Sequence, residues 1–219
     1  MIIQASGDQP LFIQKQNFED TTFRLGLLDW ADRLLDSTLT NCKIDMIKPR
    51  ASHISGCRFF GCEFFSKKKV KLDFLFCSNY WEDCVFLGKY DSTLFGYWTE
   101  SLEGKPCPWG DIAIKGCDFS QGVFDGCSLS RADVDSIRFP KWPHFTILHP
   151  AANKQAWFAA DLPFLNFSTR LIQGEDADTS AIIFYWPGVV KLYSSFPSTV
   201  NADPDDVKAT LQKFDFIRL

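Results

Sequence analysis

Eight cysteines and three histidines are the residues of this 219-residue chain with the widest chemical range. The cysteines are Cys42, Cys57, Cys62, Cys77, Cys84, Cys107, Cys117 and Cys127. No CxxC occurs, so the spacing of a zinc knuckle or a dithiol redox centre is missing. A disulfide scaffold is usually a smaller, secreted chain. That leaves cysteine as a small buried hydrophobe. His144 and His149 are five apart in a predicted strand and so face opposite sides, and His53 stands alone. HExxH, GxSxG, GxGxxG and P-loop patterns are absent. A site assembled only by the fold, such as His144 with Asp161, stays open. The expectation is a chain without catalytic residues, metal ligands or cofactor, which is not an enzyme.

The elements that carry the cysteines are set by their spacing. All but Cys84 share one phase modulo five. Two residues after each cysteine stands Ile44, Phe59, Phe64, Asn79, Phe86, Trp109, Phe119 or Leu129, nearly all apolar. The same phase continues through Leu39, Ile54, Phe74, Ile114, Phe124, Val134 and Phe139. A repeat of this kind outranks local signals. Period five fits neither a helix nor a flat strand. It fits a chain that turns a corner every five residues. Residues i−2 and i then share the inner side of a short extended piece, and turn formers fill the corner.

GCRFF-GCEFF and GCDFS-QGVFD-GCSLS-RADVD show the motif most clearly. It resembles the pentapeptide-repeat family, which places Ala or Cys at i−2 and Leu or Phe at i. The resemblance covers 37–79 and 107–139 well and 80–106 poorly. It implies a mainly β fold, a right-handed quadrilateral β-helix with ladders of Phe and Cys along its axis. On that scheme Cys42 stacks under Cys62, Cys57 under Cys77, Ile54 under Phe74 and Ile114 under Val134. The structural ladder comprises Cys57, Phe59, Cys62, Phe64, Phe74, Cys117, Phe119, Phe124, Cys127, Leu129, Val134 and Phe139.

Composition agrees with a packed interior. The chain is 46% hydrophobic, with 22 Phe against 5 Tyr, which favours rings in a dry core. The start lacks a basic segment followed by an apolar one, and no apolar run approaches the ~20 residues that span a bilayer. A soluble, cytoplasmic protein without membrane contact is expected.

Three regions are read by segment. Residues 1–36 form an N-terminal cap with a degenerate repeat and a short amphipathic helix over LGLLDWADRLLD. Residues 37–139 form the β-helix, interrupted at about 80–106. Residues 140–219 form a small α+β region packed on the coils. That region has a short helix over 151–160, a hairpin around Pro187-Gly188, a helix after Asp203-Pro204, and a last strand at DFIRL. Within the coils, Lys67, Lys68 and Lys69 break the phase, and a buried lysine is costly, so a bulged loop is expected there.

The segment from Tyr80 to Trp98 is the candidate contact surface. Tyr80, Trp81, Tyr90, Phe95, Tyr97 and Trp98 include the types enriched at interaction hot spots, with Glu82 and Asp83 beside them. Either it projects from the wall as a loop, or it is a deformed coil that buries these rings. Charge adds a second cue. Residues 37–71 hold eight Lys/Arg and two acids, and 72–135 hold four Lys/Arg and eleven acids. Such an axial field can steer a charged partner. The expected function is protein binding, as an immunity or inhibitor protein that neutralises a toxin or other enzyme. The resemblance also implies a DNA mimic that binds a type II topoisomerase. That role needs a continuous acidic rod, whereas 37–139 is neutral overall, so nucleic-acid-like recognition is not expected. A homodimer stacked through coil ends is the third reading.

Overall fold

The computed structural model describes residues 1–6, 8–27, 32–49, 52–71, 78–97, 107–160, 178–192, 194–195 and 197–219. Strands are numbered in chain order. One sheet runs β1 (Ile2–Gln4), β4 (Thr22–Leu25), β7 (Lys43–Met46), β10 (Glu63–Lys71), β12 (Val85–Asp91) and β15 (Gly122–Asp125), every pair parallel. A second parallel sheet holds β3 (Asn17–Glu19), β6 (Thr38–Thr40), β9 (Arg58–Phe60), β11 (Tyr80–Glu82) and β14 (Ile114–Lys115). A third holds β2 (Phe12–Gln14), β5 (Asp32–Leu35) and β8 (Ser52–Ser55). In the fourth, β13 (Leu94–Gly96) lies parallel to β16 (Cys127–Ser130). Strand β18 (Thr179–Tyr185) then adds antiparallel to β16, followed by β17 (His144–Leu148) and β19 (Ile217–Arg218). The chain visits the walls in turn, and the result is a β-solenoid of stacked parallel sheets.

Parallel strands about 4.8 Å apart place like side chains one above another. Phe23, Ile44, Phe64 and Phe86 share register on the first wall. Phe18, Leu39, Phe59, Trp81 and Ile114 do so on the second, and Ile13, Leu34 and Ile54 on the third. Rings therefore stack near the strand spacing: Phe59 on Trp81 at 4.6 Å, Phe86 on Phe119 at 4.7 Å, Tyr90 on Phe124 at 5.0 Å. Phe119, Phe124, Cys127 and Leu129 are fully buried. Each buried Phe contributes about 1.5–3 kcal/mol. Asn79 occupies a ladder position and is buried too. Its amide accepts from Cys57 N at 3.0 Å and donates to Ile54 O at 3.2 Å, so the polar group is satisfied by the coil below.

The cysteine out of phase in the sequence is in phase in space. Cys42, Cys62, Cys84 and Cys117 each precede a register partner (Lys43, Glu63, Val85, Asp118) and form one column. The cause lies at the lysines. Ser66 pairs with Gly88 and Val70 with Tyr90, so two extra residues bulge out between them. Lys67, Lys68 and Lys69 stand exposed on this bulge. The phase slips by two, and 82 becomes 84.

Several expectations change. The N-terminal helix is replaced by coil: Leu25 and Asp32–Leu35 lie in strands, and Leu34 packs between Ile13 and Ile54. Buried Asp32 fixes this path by accepting from Leu11 N at 2.8 Å and Gly26 N at 2.6 Å. Trp30 lies outside the described residues. Of the two readings of 80–106, the deformed coil holds for the described part, 80–97. Its strands β11, β12 and β13 belong to the walls. Ile114 bridges Ala132 and not Val134, which instead lies in a turn where Ser136 N and Oγ both donate to Asp133 O. Val134 and Phe139 are partly buried against the core. Phe74 and Cys77 lie outside the described residues.

Helices α1 (Lys154–Ala159), α2 (Trp186–Leu192), α3 (Pro197–Val200) and α4 (Pro204–Leu211) complete the C-terminal part. The hairpin expected at Pro187-Gly188 is strand β18 followed by α2. Proline suits a first helical turn, and Trp186 and Val189 are buried at the i, i+3 spacing of a helix. Asp203 caps α4, accepting from Asp205 N at 2.8 Å and Asp206 N at 3.3 Å. Strand β18 serves two cores by alternation. Ala181 and Ile183 join the solenoid interior, whereas Ile182 and Phe184 pack with Phe145, Trp157, Val207 and Leu211. No helix among the described residues is long and apolar enough to cross a membrane.

Candidate functional site

Ladder residues face inward, so function falls to the alternate residues of each strand. On the wall β3–β6–β9–β11–β14 these form two outward rows. Asn17, Thr38, Arg58 and Tyr80 make one, and Glu19, Thr40, Phe60, Glu82 and Lys115 the other. A turn at 107–110 brings Trp109 against this wall, 6.2 Å from the Tyr80 ring and 5.8 Å, edge-on, from Tyr97. Phe60 lies 5.7 Å from Tyr80 on the other side. Arg58, Phe60, Tyr80, Pro108 and Trp109 line a shallow cleft of about 430 Å³.

The charges around it are unevenly matched. Tyr80 donates its hydroxyl to Glu82 Oε2 at 2.7 Å, and Lys115 Nζ lies 3.8 Å from Glu82 Oε1. Burial and then this bond to Glu82 push the Tyr80 phenol up to about 12, so it stays a neutral donor. Arg58 donates to Thr38 Oγ1 at 3.1 Å and has no carboxylate partner among the described residues. The cleft therefore offers three rings and an uncompensated guanidinium.

The other expected contact residues scatter. Trp81, Tyr90, Phe95 and Tyr97 are buried, as the deformed-coil reading of this segment has it and against their use as contact residues, because strand alternation and the phase slip turn them inward. Trp98 lies outside the described residues, as does Asp161. Asp83 is exposed at a left-handed corner with φ 54°. Lys67, Lys68 and Lys69 stand on β10, on the neighbouring wall, where Lys69 pairs with Asp91. The outward residues Arg58 and Phe60, and Trp109 as a cleft residue, escaped the sequence reading. Trp109 shares the ladder phase yet faces outward from its turn. The usable signal was the aromatic doublets Phe59-Phe60 and Tyr80-Trp81, which force one ring of each pair outside.

Two further groupings are structural. Asp118 lines a polar hollow, but its carboxylate accepts from Ser120 N at 2.8 Å, Ser120 Oγ at 2.6 Å and Arg138 Nη1 at 2.9 Å. His144 is buried, lies tilted against the Tyr185 ring at 4.8 Å and accepts from Phe124 N. No group of three or more His, Cys, Asp or Glu placed to hold a metal occurs among the described residues. No family model, curated protein or solved structure matches the chain.

Proposed function

We propose that this chain is a non-catalytic protein-binding module, of the immunity or inhibitor kind, which neutralises a toxin or another enzyme through the wall that carries Arg58, Phe60, Tyr80, Glu82 and Trp109. The observation that carries the reading is the cleft: aromatic rings and an arginine, the hot-spot types, gathered on a five-stranded parallel sheet. Rigid backing lowers the ordering cost of association. The period-five ladder supports a right-handed, four-sided pentapeptide-repeat coil as the scaffold. A DNA mimic fits less well, because the rows mix Arg58 and Lys115 with Glu19 and Glu82.

An aromatic photo-crosslinking residue at position 80, which keeps a ring there, compared with the same residue at exposed position 24 on a different wall, tests this. A discrete protein adduct from position 80, absent from 24 and lost on Trp109→Ala, is expected. Equal adducts from both positions, or none from either, would sink it. A second reading rests on β1, β2 and β3, which pair on one side alone among the described residues, with Ile2 and Phe12 exposed beside them. Such open edges invite a second copy of the chain. A solution mass of 25.0 kDa at high micromolar concentration would remove that reading.

A further inference from the structure

The cleft also carries information about what enters it. We propose that it receives an extended peptide segment of the partner bearing a glutamate or aspartate side chain next to an aliphatic one, with the carboxylate on Arg58 and the aliphatic group packed against Tyr80 and Trp109. This deepens the protein-binding reading and rests on it.

Charge complementarity is the first argument. Glu82 is already engaged by Tyr80 and Lys115, so the unmatched charge in the cleft is the guanidinium of Arg58. A guanidinium presents a planar fork that a carboxylate meets with two parallel hydrogen bonds. Its one fixed bond, to Thr38, holds the fork against the wall and leaves other donors outward. Shape is the second argument. The rings of Phe60 and Trp109 lie 5.7 and 6.2 Å from that of Tyr80, and all three line the same cleft as Arg58. Their faces suit an aliphatic stem, and the shallow cleft of about 430 Å³ matches one or two side chains. The third argument separates a peptide from a nucleic acid. A phosphate backbone needs several cations in line. Here Glu19 and Glu82 stand in the row beside Arg58, and exposed Asp83 follows at the corner. They repel a polyanion and tolerate a single carboxylate.

The test uses the full chain labelled at its indole nitrogens, with the Trp109 signal assigned by Trp109→Phe. Acetyl-Leu-Glu-Leu-amide is titrated against acetyl-Leu-Gln-Leu-amide and against a ten-nucleotide oligothymidylate. The glutamate peptide is expected to move the Trp109 signal at millimolar concentration. The glutamine peptide is expected to bind about fivefold more weakly, as is the glutamate peptide to Arg58→Gln. Arg58→Gln must keep the wild-type thermal transition for this comparison to count, and Arg58→Lys, which keeps charge without the fork, serves as a second variant with intermediate affinity expected. Equal binding of the two peptides, no response to either, or tighter binding of the oligonucleotide would overturn the carboxylate assignment. If position 80 still crosslinks a protein while both peptides fail, this inference falls and the protein-binding reading stands. If neither experiment responds, both fall.

Discussion

The Nε2 atom of His144 accepts the Phe124 amide at 3.2 Å, across the seam between the C-terminal sheet and the solenoid. Only an unprotonated ring nitrogen can do so. Burial holds the His144 pKa below the ordinary value, with the contact to Lys141 O opposing it. The unfolded chain thus binds this proton more readily than the folded one. The stabilisation is fully present above the unfolded pKa, about 6.5, and is lost as pH falls below it. Urea midpoints of wild type are expected to drop between pH 7.5 and 5.5 more than those of His144→Gln. Identical pH slopes would refute this. Asp125, raised by burial and then by neighbouring Asp91, acts with the opposite sign, since protonation relieves it, and it contributes equally to both proteins.

Neighbouring residues Tyr80 and Trp81 should behave as opposites. Trp81 is buried against Phe59, Phe64 and Phe86, so Trp81→Ala is expected to cost about 3–5 kcal/mol in chemical denaturation. Tyr80→Ala removes a half-buried outer ring and is expected to cost under about 1 kcal/mol while abolishing the crosslink partner's binding. Similar losses of stability for the two would contradict the alternation assigned to β11.

The interior of this protein was legible because stacking obliges every coil to repeat, and repetition leaves a period in the sequence. What was missed lies where that obligation lapses. Cys84 looked out of place because two inserted residues near Lys67–Lys69 shift the count without disturbing the column. Arg58 and Phe60 face solvent, where no neighbour dictates residue type. The segment after Tyr185 offered β-branched residues and a Pro-Gly pair, a fair hairpin signal, yet burial of Trp186 and Val189 on the second core favours a helix. Asp32, read as the polar face of a helix, is a buried acceptor whose two partners come from separate loops.

Corner residues are coupled between coils. Gly56 has φ 70°, and a Cβ there would overlap Oδ1 of Asp36, which itself sits at φ 50° in the corner below. Gly56→Ala is expected to destabilise by about 1–3 kcal/mol. The pair Asp36→Gly with Gly56→Ala should lose less than the two single changes added together, because one of them removes the obstacle to the other. Strict additivity in thermal unfolding would show that the corners are independent.

Thiol reactivity should separate the described cysteines. Cys57 and Cys127 are fully buried, and burial pushes each thiol up to about 12. Cys107 is partly exposed beside Trp109. Alkylation of native protein at pH 8, followed by peptide mass mapping, should label Cys107 first among the described cysteines. Early labelling of Cys62 or Cys84 would mean that the column opens in solution.

The lysine bulge has a wider meaning. One coil takes on two surplus residues, yet the aromatic rungs above and below it keep their alignment. Interior and exterior are thereby uncoupled: a corner can lengthen, change charge or grow a new recognition loop while the rungs stay in place. The outer surface is thereby free to change while the fold stays as it is.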